Sequence, residues 1–102
     1  MSRMEQLHKL LDKTPADPFL TYGIALEHKK LGEATRAIEW LDKTIALDAK
    51  YCYAYYQKGQ VLESTGDTEG ARAAYLAGIG AANSAGDAHA LGELQGALDM
   101  LG

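Results

Sequence analysis

Positions 34 residues apart match through the middle of this chain. Gly32 recurs as Gly66, Ala37 as Ala71, Ile45 as Ile79 and Tyr22 as Tyr56. Further pairs agree in kind: Phe19 with Tyr53, Ala25 with Gly59, Glu33 with Asp67, Leu41 with Tyr75 and Thr44 with Gly78. Small residues recur where helices would cross closely, and a glycine followed by an acidic residue recurs at a turn. A period of this length marks stacked supersecondary units, none able to bury its apolar face alone. Such units share their cores between neighbours, so the chain must form a quasi-linear stack.

The units read as helical. Both prolines, Pro15 and Pro18, come early, and nothing after them breaks a helix except glycine and Asx signals. Met4, Leu7, Leu10 and Leu11 share one face of a first helix, Met4 to Lys13. Thr14 to Asp17 is a turn. Asp17-Pro18 supplies an N-cap acceptor and then a proline at the first helical position, where its missing N–H costs nothing. A helix from about Pro18 ends at Leu31, before Gly32, which suits a left-handed C-terminal cap. The next, Glu33 to Leu47, carries Ala34, Ala37, Ile38, Leu41 and Ile45 as its apolar stripe. Tyr51 to Thr65 follows, ended by Gly66. Asp67 caps a helix running to about Asn83, which Ala85-Gly86-Asp87 breaks. Asp87 caps the last, Ala88 to Leu101, with Leu91, Leu94, Leu98 and Leu101 at helical spacing. Connections this short force antiparallel neighbours. Gly70, Gly78 and Gly80 lie inside the fifth helix, each unfavourable by up to ~1 kcal/mol against alanine unless close packing repays it. Gly78 has such a reason and Gly80 has none, so this helix should be the least stable.

One stretch tests the helical reading. Tyr51-Cys52-Tyr53-Ala54-Tyr55-Tyr56 holds four of the six tyrosines. Its alternation resembles a strand, but Tyr56 breaks the alternation, helix formers flank it, and no second strand is present to pair with it. On a helix, about 100° per residue puts Tyr51 and Tyr55 on one face and Tyr53 and Tyr56 on another.

The pattern resembles the tetratricopeptide repeat family, whose unit is a 34-residue helix hairpin. Tyr55, Gly59, Leu62, Gly66, Ala71, Tyr75 and Gly78 stand where that family places an aromatic, a small residue, a large apolar one, the turn glycine, alanine, an aromatic and a small residue. The first unit departs from the pattern at Thr21, His28 and Ala49. The resemblance implies an all-α, antiparallel helix-hairpin solenoid of about six helices, stacked as a right-handed superhelix. Its parts would be a capping helix over 1–16, repeats over 18–51 and 52–85, and a second capping helix over 87–102. It places Tyr55 in the core against Tyr75 and Tyr51 at the junction with the preceding repeat. It points Tyr53 and Tyr56 into a concave groove, the usual ligand surface of the family.

The same resemblance puts Phe19, Tyr22 and Leu26 on that surface beside Tyr53, Tyr56 and Gln60, with Lys29, Lys30 and Glu63 at its edge. Aromatics with a polar tip suit contact surfaces. The alternative is that these rings fill the groove against Leu94 and Leu98 of the last helix. Some family members clamp acidic C-terminal carboxylates with lysine and asparagine, but the matching positions here are Tyr22 and Leu26. An apolar or aromatic-bearing peptide suits the groove better. The expected function is that of a non-catalytic adaptor binding a peptide or helix of another protein. The second reading is a homodimeric scaffold module, since the terminal helices would expose Leu7, Leu10, Leu11, Leu91, Leu98 and Met100.

Other classes of function find little support. The net charge of −4 falls wholly on residues 51–102, where Lys58 and Arg72 face Glu63, Asp67, Glu69, Asp87, Glu93 and Asp99. Single-stranded nucleic acid needs stacking rings within a basic groove, and only Lys50 and Lys58 lie near these rings. No apolar run approaches the ~20 residues of a membrane span. The start, MSRMEQLHKLLDK, is not patterned as a signal peptide. With Cys52 alone no internal disulfide can form, which fits a cytoplasmic setting. His8, His28 and His89 are far apart in sequence, and His28 reads as a hydrogen-bonded core residue. Cys52 has no oriented acid or oxyanion signature and reads as a small buried residue. No metal spacing, phosphate loop or nucleophile elbow is present, so no cofactor or metal is expected.

Overall fold

The computed structural model describes residues 2–102. Six helices follow one another: α1 (Arg3–Lys13), α2 (Pro18–Lys30), α3 (Ala34–Leu47), α4 (Cys52–Ser64), α5 (Thr68–Ala85) and α6 (Ala88–Met100). Each differs by no more than two residues at either end from the sequence reading. None of them is long and apolar enough to cross a membrane.

The caps work as the sequence implies. Phe19 N donates to Asp17 Oδ1 at 2.9 Å, Gly70 N to Asp67 Oδ1 at 2.9 Å, and Ala90 N to Asp87 Oδ1 at 3.0 Å. The two hairpin turns repeat one backbone device. Gly32 and Gly66 take φ of 75° and 83°, and the residue after each donates back five positions, Glu33 N to His28 O and Asp67 N to Leu62 O. That is the Schellman geometry, in which only glycine avoids a steric penalty at the left-handed position. The starts of the helices set the repeat length. The caps of α2, α4 and α6 are residues 17, 51 and 87, so the spacing is 34 and then 36. The two extra residues lie within the second hairpin, whose α5 has 18 residues against 14 in α3.

Each helix packs on the next, and the core is strung along the stack. One cluster joins α1 to α2 through Leu7, Leu20 and Ile24. A second joins α2, α3 and α4 through Ala25, Leu41 and Ala54. A third joins α4, α5 and α6 around Tyr75, Ala71, Ala90 and Leu94. Two threonines bridge the first hairpin: the Thr21 and Thr44 hydroxyls lie 2.8 Å apart, so one donates to the other, and the accepting hydroxyl turns its own proton to a carbonyl of its helix, Pro18 O for Thr21 or Trp40 O for Thr44. The second hairpin replaces them with closer backbone approach. A Cβ on Gly59 would fall inside the ring of Tyr75, and one on Gly78 would stand 2.8 Å from Tyr55 Cβ and 2.7 Å from Leu94 Cδ2. Gly80 has nothing near its would-be Cβ, so packing repays Gly78 and leaves Gly80 unrepaid.

Two expectations need correcting. The ring standing against Tyr75 is that of Tyr56, with centroids 6.2 Å apart. Tyr55 instead sits over Gly78 and donates its hydroxyl to Ala49 O at 2.7 Å. Gly59 decides this, because it opens the α4 surface one turn beyond Tyr56 and draws the Tyr75 ring there. The terminal helices also hide most of their leucines. Leu7 is buried against Gly23, and Leu11 packs on the same cluster. Leu91 and Leu98 pack on the α4–α6 core. Only Leu10 and Met100 of the six stay exposed, at 51% and 85%. Both terminal helices lay their apolar faces on their neighbours.

Candidate functional site

The helices α2 and α4 are the first members of their hairpins, and α6 follows the second hairpin and packs on both of its helices. They carry the candidate groove. Tyr51, at the start of α4, meets Tyr22 of α2 with ring centroids 4.9 Å apart, covering the junction between the repeats as expected. Lys29 Nζ of α2 donates to Gln57 Oε1 of α4 at 2.6 Å. Tyr53 of α4 donates its hydroxyl to Glu93 Oε1 of α6 at 3.1 Å. These contacts tie the three helices along one wall.

Of the sequence-derived residues, the structure brings Tyr53, Tyr56, Gln60 and Glu63 together. The rings of Tyr53 and Tyr56 stand edge to face at 6.3 Å. Gln60 Nε2 donates to the Tyr56 hydroxyl at 3.2 Å, and Tyr75 donates to Glu63 Oε2 at 2.7 Å. Tyr53 and Tyr56 are half-buried and pack on the cluster that contains Leu94, with Leu98 beside it. They therefore seal the core against α6. Phe19 and Leu26 belong to the α2 end of the wall. Phe19 is 65% exposed at the start of its helix, while Leu26 is half-buried. Tyr22 packs into the α2–α4 cluster. Lys29 is fixed by Gln57, and Lys30 points out to solvent, 3.3 Å from Glu27.

A recess of about 450 Å³ opens between α4 and α6. Its α4 wall is Tyr56, Gln60 and Glu63; its α6 wall is Glu93, Gly96, Ala97 and Met100. The α6 residues and Gln57 were not legible as site residues. The 34-residue period does not reach α6 in register, because its cap falls 36 residues after that of α4. Gln57 lies one helical turn beyond Tyr53, a spacing that could have drawn attention to it.

Burial raises the phenol pKa values of Tyr22, Tyr51, Tyr53, Tyr55 and Tyr75. For Tyr75 the effect is large: burial contributes most, and the Glu63 carboxylate that accepts its hydrogen bond adds to it by opposing a second negative charge. Burial lowers the pKa of Lys29. Lys29, Tyr53, Tyr55 and Tyr75 each donate to an acceptor within the fold, and no buried side-chain nitrogen or oxygen among the described residues lacks a partner.

The histidines and the cysteine lie apart from one another in pairings of their own. His8 meets the Trp40 ring edge at 5.4 Å, His28 Nδ1 lies 2.8 Å from Glu33 Oε1, and His89 Nε2 lies 2.6 Å from Glu93 Oε1. Cys52 is buried, its Sγ 3.3 Å from Lys50 O, and burial pushes its thiol pKa up. A raised thiol pKa disfavours the nucleophilic thiolate.

Comparison with known proteins agrees with the geometry. The sequence pattern of the tetratricopeptide repeat matches residues 53–84. A TPR repeat-containing protein of Pseudomonas aeruginosa is 32% identical over 91 residues, which span 89% of this chain and 87% of that protein. A Bordetella parapertussis protein solved in solution is 28% identical with a TM-score of 0.85, covering 99% of this chain and 88% of its own. The first TPR of Spaghetti (RPAP3), solved bound to an HSP90 peptide, is 21% identical with a TM-score of 0.74, covering 96% of this chain and 76% of its own.

Proposed function

Because the chain belongs to the tetratricopeptide repeat family, we propose that it is a non-catalytic adaptor that binds a peptide or helix of a partner protein along α2, α4 and α6. The family fold serves protein interaction in general, and the Spaghetti domain holds its HSP90 peptide in this fold. One observation carries the finer reading. Along these helices Phe19 is exposed, Tyr22, Leu26, Lys29, Tyr53, Tyr56 and Gln60 are half-buried, and Tyr56, Gln60 and Glu63 line the recess, which supports a contact surface there. Rigid rings with polar tips give contact area at low entropic cost. Hydrogen bonds within the wall hold those tips before any ligand arrives.

The test is a peptide selection followed by substitution. Peptides are selected against the immobilised protein and their affinity measured for Phe19→Ser, Gln60→Ala and a control, Leu76→Ser. Leu76 is 52% exposed on α5, which is not part of the wall. The wall substitutions are chosen among residues outside the core, so loss of binding does not reflect unfolding. The reading expects each to weaken binding about tenfold, roughly the loss when a contacting side chain is truncated, with the control unchanged. Equal loss in the control, or no loss in either wall variant, overturns it.

A further inference from the structure

We propose that the recess between α4 and α6 seats an arginine side chain presented by an extended segment of the partner. This rests on the groove reading and names the chemistry of its occupant. Two carboxylates, Glu63 and Glu93, line the recess, and no lysine or arginine does. Each carboxylate is held by one oxygen: Glu63 Oε2 accepts from Tyr75, and Glu93 Oε1 accepts from Tyr53 and lies beside His89. Those bonds orient both groups and leave Glu63 Oε1 and Glu93 Oε2 without a hydrogen-bond partner among the described residues.

The cations on neighbouring elements are committed elsewhere. Lys29 is bound to Gln57, Lys58 lies 2.7 Å from Asp42, and Arg72 lies near Glu69 and donates to Gly102 O. The recess also sits in the half of the chain that carries the whole net charge of −4. Charge complementarity therefore favours a cationic occupant and opposes an acidic tail.

The remaining lining distinguishes arginine from lysine. Tyr56 offers a ring on which a planar guanidinium can stack, and two separated carboxylates suit its forked donors better than a point charge. Ala97 and the 85% exposed Met100 offer apolar surface for the aliphatic stem. Gly96 keeps the α6 wall open, since nothing lies within 4 Å of its would-be Cβ.

The experiment measures fluorescence anisotropy with a labelled capped peptide, acetyl-Leu-Arg-Gly-Arg-Leu-amide, and its counterpart with citrulline for arginine. Citrulline keeps the shape and removes the charge. Both are titrated with the wild-type chain, with the double variant Glu63→Gln and Glu93→Gln, and with a remote double control outside the recess lining, Glu39→Gln on α3 and Asp48→Asn at its C-cap. Glutamine retains an acceptor for Tyr75 and Tyr53, so the wall is preserved. The expected result is that citrulline and the Glu63/Glu93 variant each weaken binding about tenfold, as two partly exposed ion pairs would, while the remote control does not. Equal binding of both peptides overturns the arginine seat while leaving a peptide-binding groove intact. Equal losses in the two double variants would assign the effect to diffuse charge and overturn it as well. Failure of the arginine peptide to bind at all also overturns it, whereas the groove itself stands or falls with the selection experiment.

Discussion

At the residue scale, a single glycine explains which aromatic enters the core. Tyr55 and Tyr56 are adjacent, and the repeat pattern assigned Tyr55 to Tyr75. The structure gives that place to Tyr56, because Gly59 leaves a gap on α4 into which Tyr75 leans. The sequence carried the signal in the pairing of Ala25 with Gly59, but not the direction in which the ring would tilt. Tyr75 has a measurable consequence. Its phenol pKa is raised by burial and by Glu63, so the folded state resists ionisation more than the unfolded chain, whose tyrosines titrate near 10. Stability from this group is complete below about pH 10 and is lost as pH rises toward the folded value. The urea midpoint should therefore begin to fall near pH 9, where the unfolded Cys52 thiol ionises, and fall further above about pH 10, and Tyr75→Phe should make the upper part of that fall shallower. A Tyr75→Phe profile parallel to the wild type would contradict the assignment. Tyr22, Tyr51, Tyr53, Tyr55 and the Cys52 thiol act with the same sign and add to the slope.

At the element scale, helix existence and capping were legible because each signal is local. An aspartate ahead of a helix and a glycine behind it act through bonds within a turn or two, and both hairpins show the same backbone closure. The faces of α1 and α6 were less legible. Periodicity reveals an apolar stripe but not which neighbour covers it, and so Leu7, Leu11, Leu91 and Leu98 read as exposed when they are packed. The glycines of α5 separate into two kinds. Gly78 lets α4 and α6 approach, while Gly80 is exposed and open. Gly80→Ala should raise stability by about 0.5–1 kcal/mol, the helix-propensity difference. Urea unfolding measures this, with amide exchange of α5 slowing in parallel. An unchanged midpoint would mean that α5 does not limit the stability of the stack.

At the scale of the whole molecule, the 34-residue period read from four identities became three core clusters, one after another along the chain of helices. The stack was visible in sequence because each unit repeats the same contacts. The α4–α6 recess was not visible, because it depends on a helix outside the period. Counted from the first residue of each helix, Gln95 of α6 takes the place of Gly59 of α4. Where glycine admits Tyr75, an exposed glutamine stands, so α6 does not offer another helix the approach that α4 offers α5. Together with the packed terminal leucines, this weakens the case for self-association and leaves the α2–α4–α6 wall as the surface to test.

That test is an amide chemical-shift map of the isotope-labelled protein, titrated with a peptide from the selection. The account expects the largest shifts along one wall, at Phe19, Tyr53, Gln60 and Gly96, with the amides around Leu76 on α5 unmoved. Shifts concentrated on α3 and α5, with the wall silent, would contradict it.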